Sequence, residues 1–259
     1  MTDGNLAVTQ DCAVATITIS NPPRRNAMTL SMWQSFEPTL ARLADDSTVT
    51  VVVIRGAEGH FSAGADIGSL DSILDPSVGL GGWVSRAEEA IAAFPKPTVA
   101  AIEGICFGGG WEVAAACDLR VAATSSSLAI TPAKIGIIYP LSGITRLVNI
   151  VGPARAKYLL FTGNSVSATE AYEMGLITSV VADEHFPSSL ESLCADLVAR
   201  SQLSIHSTKQ LIGALVSGDG DVEQLYARWW EELKVSEDPS IGAAAFAARE
   251  KPRFVWGRD

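Results

Sequence analysis

The chain has 259 residues, 47% of them hydrophobic and 19% charged, with 19 basic against 29 acidic residues and a formal net charge of −10. That is apolar material for one buried core with at most a small appendage, and too little charge for long disordered tails. The negative field disfavours nonspecific binding to nucleic acid or to anionic membranes, though not a local basic patch that holds an anionic ligand.

In chain order, Val14 to Ile19 alternates and is β-branched, which predicts a strand. Asn21 to Asn26 is a loop, and Thr29 to Leu43 carries a helical period interrupted by Pro38. Val49 to Ile54 is a continuous apolar run, expected as a buried strand. Residues 67 to 82 hold Gly68, Pro76, Gly79, Gly81 and Gly82 and are expected to form a mobile connection. Trp83 to Phe94 predicts a helix stopped by Pro95 and Pro97. Val99 to Ile102 predicts a strand, and Leu119 to Ala122 and Leu128 to Ile130 predict two more. Gly152-Pro153 opens a helix with proline in its first turn. Ser167 to Glu170 has capping-box spacing, with Gly175 as the stop, and Ile177 to Val181 returns to strand. From Leu190 the pattern is helical, with breaks at Ser217 to Gly220 and at Asp238-Pro239. The order is repeated strand-strand-helix units followed by a helical tail, an α/β chain.

The opening MTDGNLAV has neither the basic nor the apolar part of a signal peptide. Glu103, Glu112 and Asp118 interrupt the best candidate for a membrane span. Cys12, Cys106, Cys117 and Cys194 show no paired spacing and read as reduced thiols of a cytoplasmic protein. His60, His185 and His206 stand too far apart to suggest a metal site.

Gly108, Gly109 and Gly110 lie between a strand and a helix start, where backbone N–H groups are unpaired and the helix dipole is positive. They fit either an anion or oxyanion site or a tightly packed turn. No Lys-Ser or Lys-Thr follows them, which excludes a P-loop, and the spacing is wrong for a dinucleotide fingerprint. Ser62-Ala63-Gly64-Ala65-Asp66 is a second small-residue turn after a strand. Two such turns can each aim one N–H at the same oxygen, which is how a thioester carbonyl is polarised.

With these motifs the sequence resembles the enoyl-CoA hydratase/isomerase (crotonase) superfamily over nearly its whole length. The resemblance is carried by Asn21 to Ala27, Phe61 to Ile67, Lys96 to Ile102, Gly108 to Glu112, Cys117-Asp118 and Leu159 to Gly163. It implies a spiral of ββα units over residues 1–189 and a helical C-terminal region over 190–259 that builds trimers, often dimers of trimers. It also implies an acyl-CoA or carrier-protein thioester as substrate and no cofactor beyond that coenzyme A. In it Ala65 and Gly109 look like the oxyanion donors. Arg24 and Arg25 lie where the superfamily meets the nucleotide. Ala63, Asp66 and Ile67 flank the site, and Phe246 and Arg249 match an aromatic and basic pair that reaches the coenzyme, often from a neighbouring subunit. Trp83 is expected either at the acyl pocket or in the core.

Glu112 matches the first of two glutamates that hydratases use as acid and base, and it also suits a helix N-terminus electrostatically. The second falls at Pro132, counted back from Gly136, and proline moves no proton. Thr131 to Pro140 resembles instead the corresponding segment of methylmalonyl-CoA decarboxylase, with Tyr139 as its tyrosine. The oxyanion-hole residue that is histidine in that enzyme is Ala65 here. Pro140 stands where related dehalogenases carry a nucleophilic aspartate. Three readings stay open: an acyl-CoA decarboxylase of malonyl or methylmalonyl type, a hydratase or isomerase using Glu112, and a non-catalytic thioester-binding subunit. An RNA-binding role is disfavoured, because Thr29 to Leu43 has no lysine-rich run.

Overall fold

The computed structural model describes residues 4–218 and 220–257; residues 1–3 of the opening octet, Asp219 of the expected break, and residues 258 and 259 of the C-terminal region lie outside the described residues. The strands are β1 (Asn5–Asp11), β2 (Val14–Ser20), β3 (Val51–Gly56), β4 (Thr98–Ile102), β5 (Ile105–Phe107), β6 (Leu119–Ala123), β7 (Ser127–Ala129), β8 (Val166–Ser167) and β9 (Ser179–Val181). Six form one sheet in the order β1-β2-β3-β4-β6-β9, antiparallel between β1 and β2 and parallel after that. The other three form a small second sheet, β5-β7-β8.

The large sheet is covered on both faces. Val52, Ile54, Ala100, Ile102 and Ala122 point into the main core, while Val51, Val53, Val99, Ala101, Val121 and Ala123 point into a second one. A strand buried on both sides has no reason to alternate with polar residues, hence the unbroken apolar runs at 51–54 and 99–102, Thr50 lying just ahead of β3. β1 escapes the sequence reading because it is a largely exposed edge strand, NLAVTQD, with no apolar alternation to detect.

The helices are α1 (Leu30–Asp45), α2 (Leu70–Ile73), α3 (Gly82–Ala92), α4 (Gly109–Ala116), α5 (Pro132–Ile135), α6 (Leu141–Thr162), α7 (Ala168–Met174), α8 (Phe186–Ala199), α9 (Gln202–Ser217), α10 (Val222–Val235) and α11 (Asp238–Ala248). The expected repeat is present. β3 leads to the small-residue turn and α3, β4 and β5 lead to α4, and β6 and β7 lead to α5 and α6. Each turn places one strand in the large sheet and one extended segment beside the small one, since Ser62 bridges Cys106 and Ala65 bridges Met28.

Two expected features are confirmed in detail. Ser167 caps α7 by accepting from Glu170 N at 3.3 Å, and Glu170 Oε2 accepts from Ser167 N at 2.8 Å. Gly175 closes α7 in the left-handed region at φ 84°.

Other features are corrected. The connection at 67–82, expected from its glycines, carries local structure that those glycines do not predict: it holds α2 and two 3-10 turns, each turn capped by an aspartate, Asp66 accepting from Gly68 N and Asp75 from Ser77 N. The chain is already helical from Leu141, and Gly152 (φ 77°) breaks α6 where Pro153 restarts it.

The division at 190 falls inside α8, whose Phe186 and Cys194 close the second core against the large sheet. The layer beyond it is thinly packed. No described residue of α10 is buried, and in α11 only Asp238 is. Asp238 accepts from Ser201 Oγ at 2.6 Å, Val255 N at 3.0 Å and Trp256 N at 3.2 Å, tying the terminal segment down. Phe246 of α11 is 88% exposed and Val235 of α10 is 80% exposed. Among the described residues no helix is long and apolar enough to cross a membrane.

Candidate active site

The two small-residue turns meet, and a chain of polar contacts sets their spacing. Asn26 is fully buried in the left-handed region, accepts from Asn21 N at 3.0 Å, and donates to Ala57 O at 2.8 Å and His60 O at 2.6 Å. Ser62 Oγ donates to Asn26 O at 2.7 Å and accepts from Gly64 N at 3.0 Å. Met28 N then donates to Gly64 O at 2.7 Å and Asp66 N to Met28 O at 2.8 Å. These two bonds bracket Ala65 and leave its own N–H facing the other way, with no acceptor in the described chain.

On the opposite side, Gly108 has φ 51° and ψ −117°, a conformation that only glycine adopts without strain. Its N–H donates to Ala129 O at 2.9 Å, anchoring the turn to β7. Gly109 begins α4, so its N–H is one of the four a helix leaves unpaired. A Cβ at Gly109 would lie 3.3 Å from Ala65 N, and one at Gly64 would lie 3.1 Å from Gly109 N. The two free N–H groups are therefore side by side. Glycine at 109 also makes room for Trp33, whose Cζ2 would meet a Cβ at 2.9 Å, and glycine at 110 lets α4 sit on Ser62 O, 2.7 Å from a Cβ there.

These groups line a cavity of about 60 Å³ together with Ala63, Ile67, Glu112, Pro132 and Tyr139. Glu112, in the first turn of α4, is 3% exposed, and its Oε1 has no hydrogen-bond partner. Burial, with the charge of Glu88 added, pushes its carboxyl well above the usual carboxylate range, and Arg146 offsets this in part. The Tyr139 hydroxyl is likewise buried and unpartnered, and burial together with Glu112 raises it well above the ordinary phenol value. The cavity thus brings together two buried acids, both raised by the loss of water around them. Gly143 admits both, since a Cβ there would lie 2.8 Å from Glu112 Oε1 and 2.8 Å from Tyr139 Cε1.

Not every expected residue gathers here. Trp83 does not line the cavity, where α3 places Val84; of its two expected places it takes the core, half-buried against the main cluster with its ring under the Arg86 guanidinium at 5.2 Å. Arg24 and Asp66 line a separate groove of about 500 Å³ with Asn21, Thr29 and Gln34. There Arg24 is not a free cation, because its Nη1 lies 2.5 Å from Asp66 Oδ2. Arg25 is exposed and lines neither space, but its carbonyl accepts from Ala63 N at 2.9 Å and so helps hold the first turn. Phe246 and Arg249 sit on and just past α11 and line neither space within one chain. No group of three or more His, Cys, Asp or Glu among the described residues is arranged to hold a metal ion.

The sequence reading missed Ser142 and Arg146, which come from a stretch of α6 not foreseen as helix, and it missed Glu88. Glu88 did carry a signal. In the predicted helix 83–94, Val84, Ala87, Glu88 and Ile91 share one face by spacing, so an acid stands among the core positions.

A family model described as enoyl-CoA hydratase/isomerase matches residues 9–257. A probable enoyl-CoA hydratase of Bacillus subtilis is 33% identical over 254 residues, covering 96% of this chain and 98% of the relative. A peroxisomal Delta(3,5)-Delta(2,4)-dienoyl-CoA isomerase of Arabidopsis thaliana is 30% identical over 262 residues, covering 95% and 94%. A crystal structure of an enoyl-CoA hydratase/isomerase family member superposes with a TM-score of 0.92 at 43% identity, covering 98% of this chain and 97% of the other.

Proposed function

The chain belongs to the enoyl-CoA hydratase/isomerase family and is an enzyme acting on acyl-CoA, and from that premise we propose that it forms and protonates a thioester enolate by decarboxylating a malonyl- or methylmalonyl-type acyl-CoA. The observation that carries this reading is the state of the cavity's acids. Glu112 is the one carboxylate among the lining residues, burial and Glu88 raise it well above the usual carboxylate range, and Pro132 supplies no second one. A neutral carboxyl is a poor base and a good acid. Loss of carbon dioxide makes an enolate without a base.

In this reading the N–H groups of Ala65 and Gly109 stabilise the enolate oxygen, which develops charge only as the C–C bond breaks. Tyr139 donates a hydrogen bond to the departing carboxylate, and Glu112 delivers a proton to the α-carbon. The cavity is narrower than a typical ligand pocket of roughly 300 Å³ or more, so the acyl group enters by parting the segments at Ile67 and Ile137 that line it. Arg24 meets the coenzyme in the neighbouring groove, with Asp66 fixing its orientation. Phe246 and Arg249 act on a second copy of the chain in a trimer or dimer of trimers. The four free cysteines, three of them buried, fit a reducing compartment such as the cytoplasm.

The likeness to a probable enoyl-CoA hydratase and to a dienoyl-CoA isomerase favours a second reading, hydration or double-bond isomerisation with Glu112 as sole acid and base. The test is a comparison of Tyr139→Phe with Glu112→Gln on malonyl-, methylmalonyl- and crotonyl-CoA, followed by mass spectrometry. Decarboxylation predicts that carbon dioxide release survives Glu112→Gln better than Tyr139→Phe, because solvent can supply the final proton. One positioned acid or base is worth about 100- to 10,000-fold, so the order is easily read. Rapid hydration of crotonyl-CoA that collapses in Glu112→Gln and persists in Tyr139→Phe would overturn the proposal.

A further inference from the structure

Behind Glu112 lies a second buried carboxylate to which no role has been given. Glu88 of α3 is fully buried. Its Oε2 accepts from Ser142 Oγ at 2.7 Å, and Ser142 Oγ also shares a hydrogen bond of 2.7 Å with Ser85 Oγ. Arg146 Nε stands 3.7 Å from Glu88 Oε1, close enough for charge pairing and too far for a hydrogen bond. Ser142, Gly143 and Arg146 all belong to the first two turns of α6, so the positive end of that helix also faces the cluster. Six buried side-chain polar atoms among the described residues lack a partner, and four of them are Glu88 Oε1, Arg146 Nε, Glu112 Oε1 and Tyr139 Oη. Orphans gathered in one place mark a site held ready for a proton or a ligand and not a packing accident.

We propose that Glu88 is a positioning residue for the reaction: with Ser142 and Arg146 it holds the one negative charge this buried cluster can carry, and so keeps the proton of the carboxylate pair on Glu112, at the cavity. The inference rests on the reading that Glu112 faces the substrate. Two carboxylates share a volume from which water is excluded, and one guanidinium is present to balance them. Both cannot ionise cheaply, so the proton goes to the one with less support for its charge. Glu88 has a hydroxyl donor, a helix N-terminus and the nearer share of Arg146. Glu112 Oε1 has no donor.

The electrostatics agree. Burial pushes Glu88 up to about 7, with Ser142 and Arg146 pulling it down, and Glu112 is raised well above the usual carboxylate range by burial and by Glu88, with no hydroxyl donor to offset it. The groups that face the pair are few. Arg146 comes from α6, Glu89 from α3 itself, and Tyr139 from the segment before α6. β5 brings Cys106, whose thiol burial keeps neutral. On α1, Glu37 pairs outward with Arg86 at 2.6 Å. Asp71 of α2 is exposed, and Asp75 accepts from Ser77 N in the following turn. Arg146 is also felt by Cys117 of the segment after α4, whose thiol burial keeps neutral, and by Arg120 of β6.

The test is a pH titration of the protonated-carboxyl infrared band in the full-length protein without substrate, the Glu112 band being assigned by its loss in Glu112→Gln. In the wild type the band should persist through neutral pH. In Glu88→Gln, Arg146 becomes the nearest charge to Glu112, and the midpoint should fall by roughly 1–3 pH units. Ser142→Ala should lower it in the same direction by a smaller amount, because an unsupported Glu88 takes the proton itself. Glu88→Asp, which keeps the charge, should restore much of the wild-type midpoint. In turnover, the alkaline limb of the pH profile should move with the band while KM stays put. A Glu112 midpoint unmoved in both Glu88→Gln and Ser142→Ala would overturn the proposal. If the midpoint moves as expected and Glu112→Gln keeps full turnover, the role of Glu112 in the reaction fails and the charge assignment stands.

Discussion

A methyl group added at Gly110 would sit 2.7 Å from Ser62 O, 2.9 Å from Ser62 Cβ and 3.3 Å from Ser62 C. The obstacle is largely backbone, and it is pinned by the Ser62 Oγ bond to Asn26 O and the Ser62 N bond to Ile105 O, so it cannot swing aside. In an unobstructed helix interior, glycine to alanine gains about 1 kcal/mol. Forcing a methyl into a filled site costs about 1–3 kcal/mol. At Gly110 the second effect offsets or outweighs the first, and Gly110→Ala should lose up to about 2 kcal/mol net, against a gain at an unobstructed site. At Gly213, in the middle of α9, a Cβ would have no neighbour within 4 Å, so Gly213→Ala should show only the gain. The clash also levers the start of α4 away from the turn at 62–65, parting the N–H groups of Ala65 and Gly109. Misplacing one such donor costs about 100- to 1,000-fold in kcat. Urea unfolding at fixed protein concentration measures the first quantity, and acyl-CoA turnover per folded molecule measures the second. If the two alanine variants have equal stability, the close approach of α4 to Ser62 is wrong. If Gly110→Ala is destabilised but turns over normally, the pairing of the two N–H groups does not matter to the reaction.

Asp66→Asn should release Arg24 from its ion pair and tighten coenzyme A binding a few-fold at low salt, an advantage that shrinks as salt rises; calorimetry at two ionic strengths reads this. His206 is half-buried against Trp256, its imidazole pushed down from 6.5 to about 4 by burial and then by Lys96 and Lys209. The unfolded chain therefore binds the extra proton between these values, and stability falls as pH drops from about 6.5 to 4. His206→Gln should flatten that slope in thermal unfolding. Phe246→Glu, at an 88% exposed position, should leave the monomer fold unchanged by circular dichroism and lower the mass seen by light scattering. A wild type that scatters as a monomer at micromolar concentration would remove the assembly proposal altogether.

Local pattern in the sequence was enough for the buried strands at 51–56 and 98–102, the capping box at Ser167 and the glycine turn ahead of α4, because each is written in neighbouring residues. The resemblance to the family, not local pattern, placed Ala65, Gly109, Glu112, Pro132 and Tyr139 in one set, and the fold brings them to one cavity. Local pattern could not show that Arg24 spends its charge on Asp66, 42 positions away, or that Val84 and not Trp83 lines the cavity. Nor could it show the partnership of Glu88 with Ser142, 54 positions on, because a hydrogen bond between two helices leaves no period in either. The protonation of Glu112 belongs to this second kind. A carboxylate's identity is written in the chain, but its charge is set by the water it loses and the neighbours it gains, and both exist only after α3, α4 and α6 have packed together.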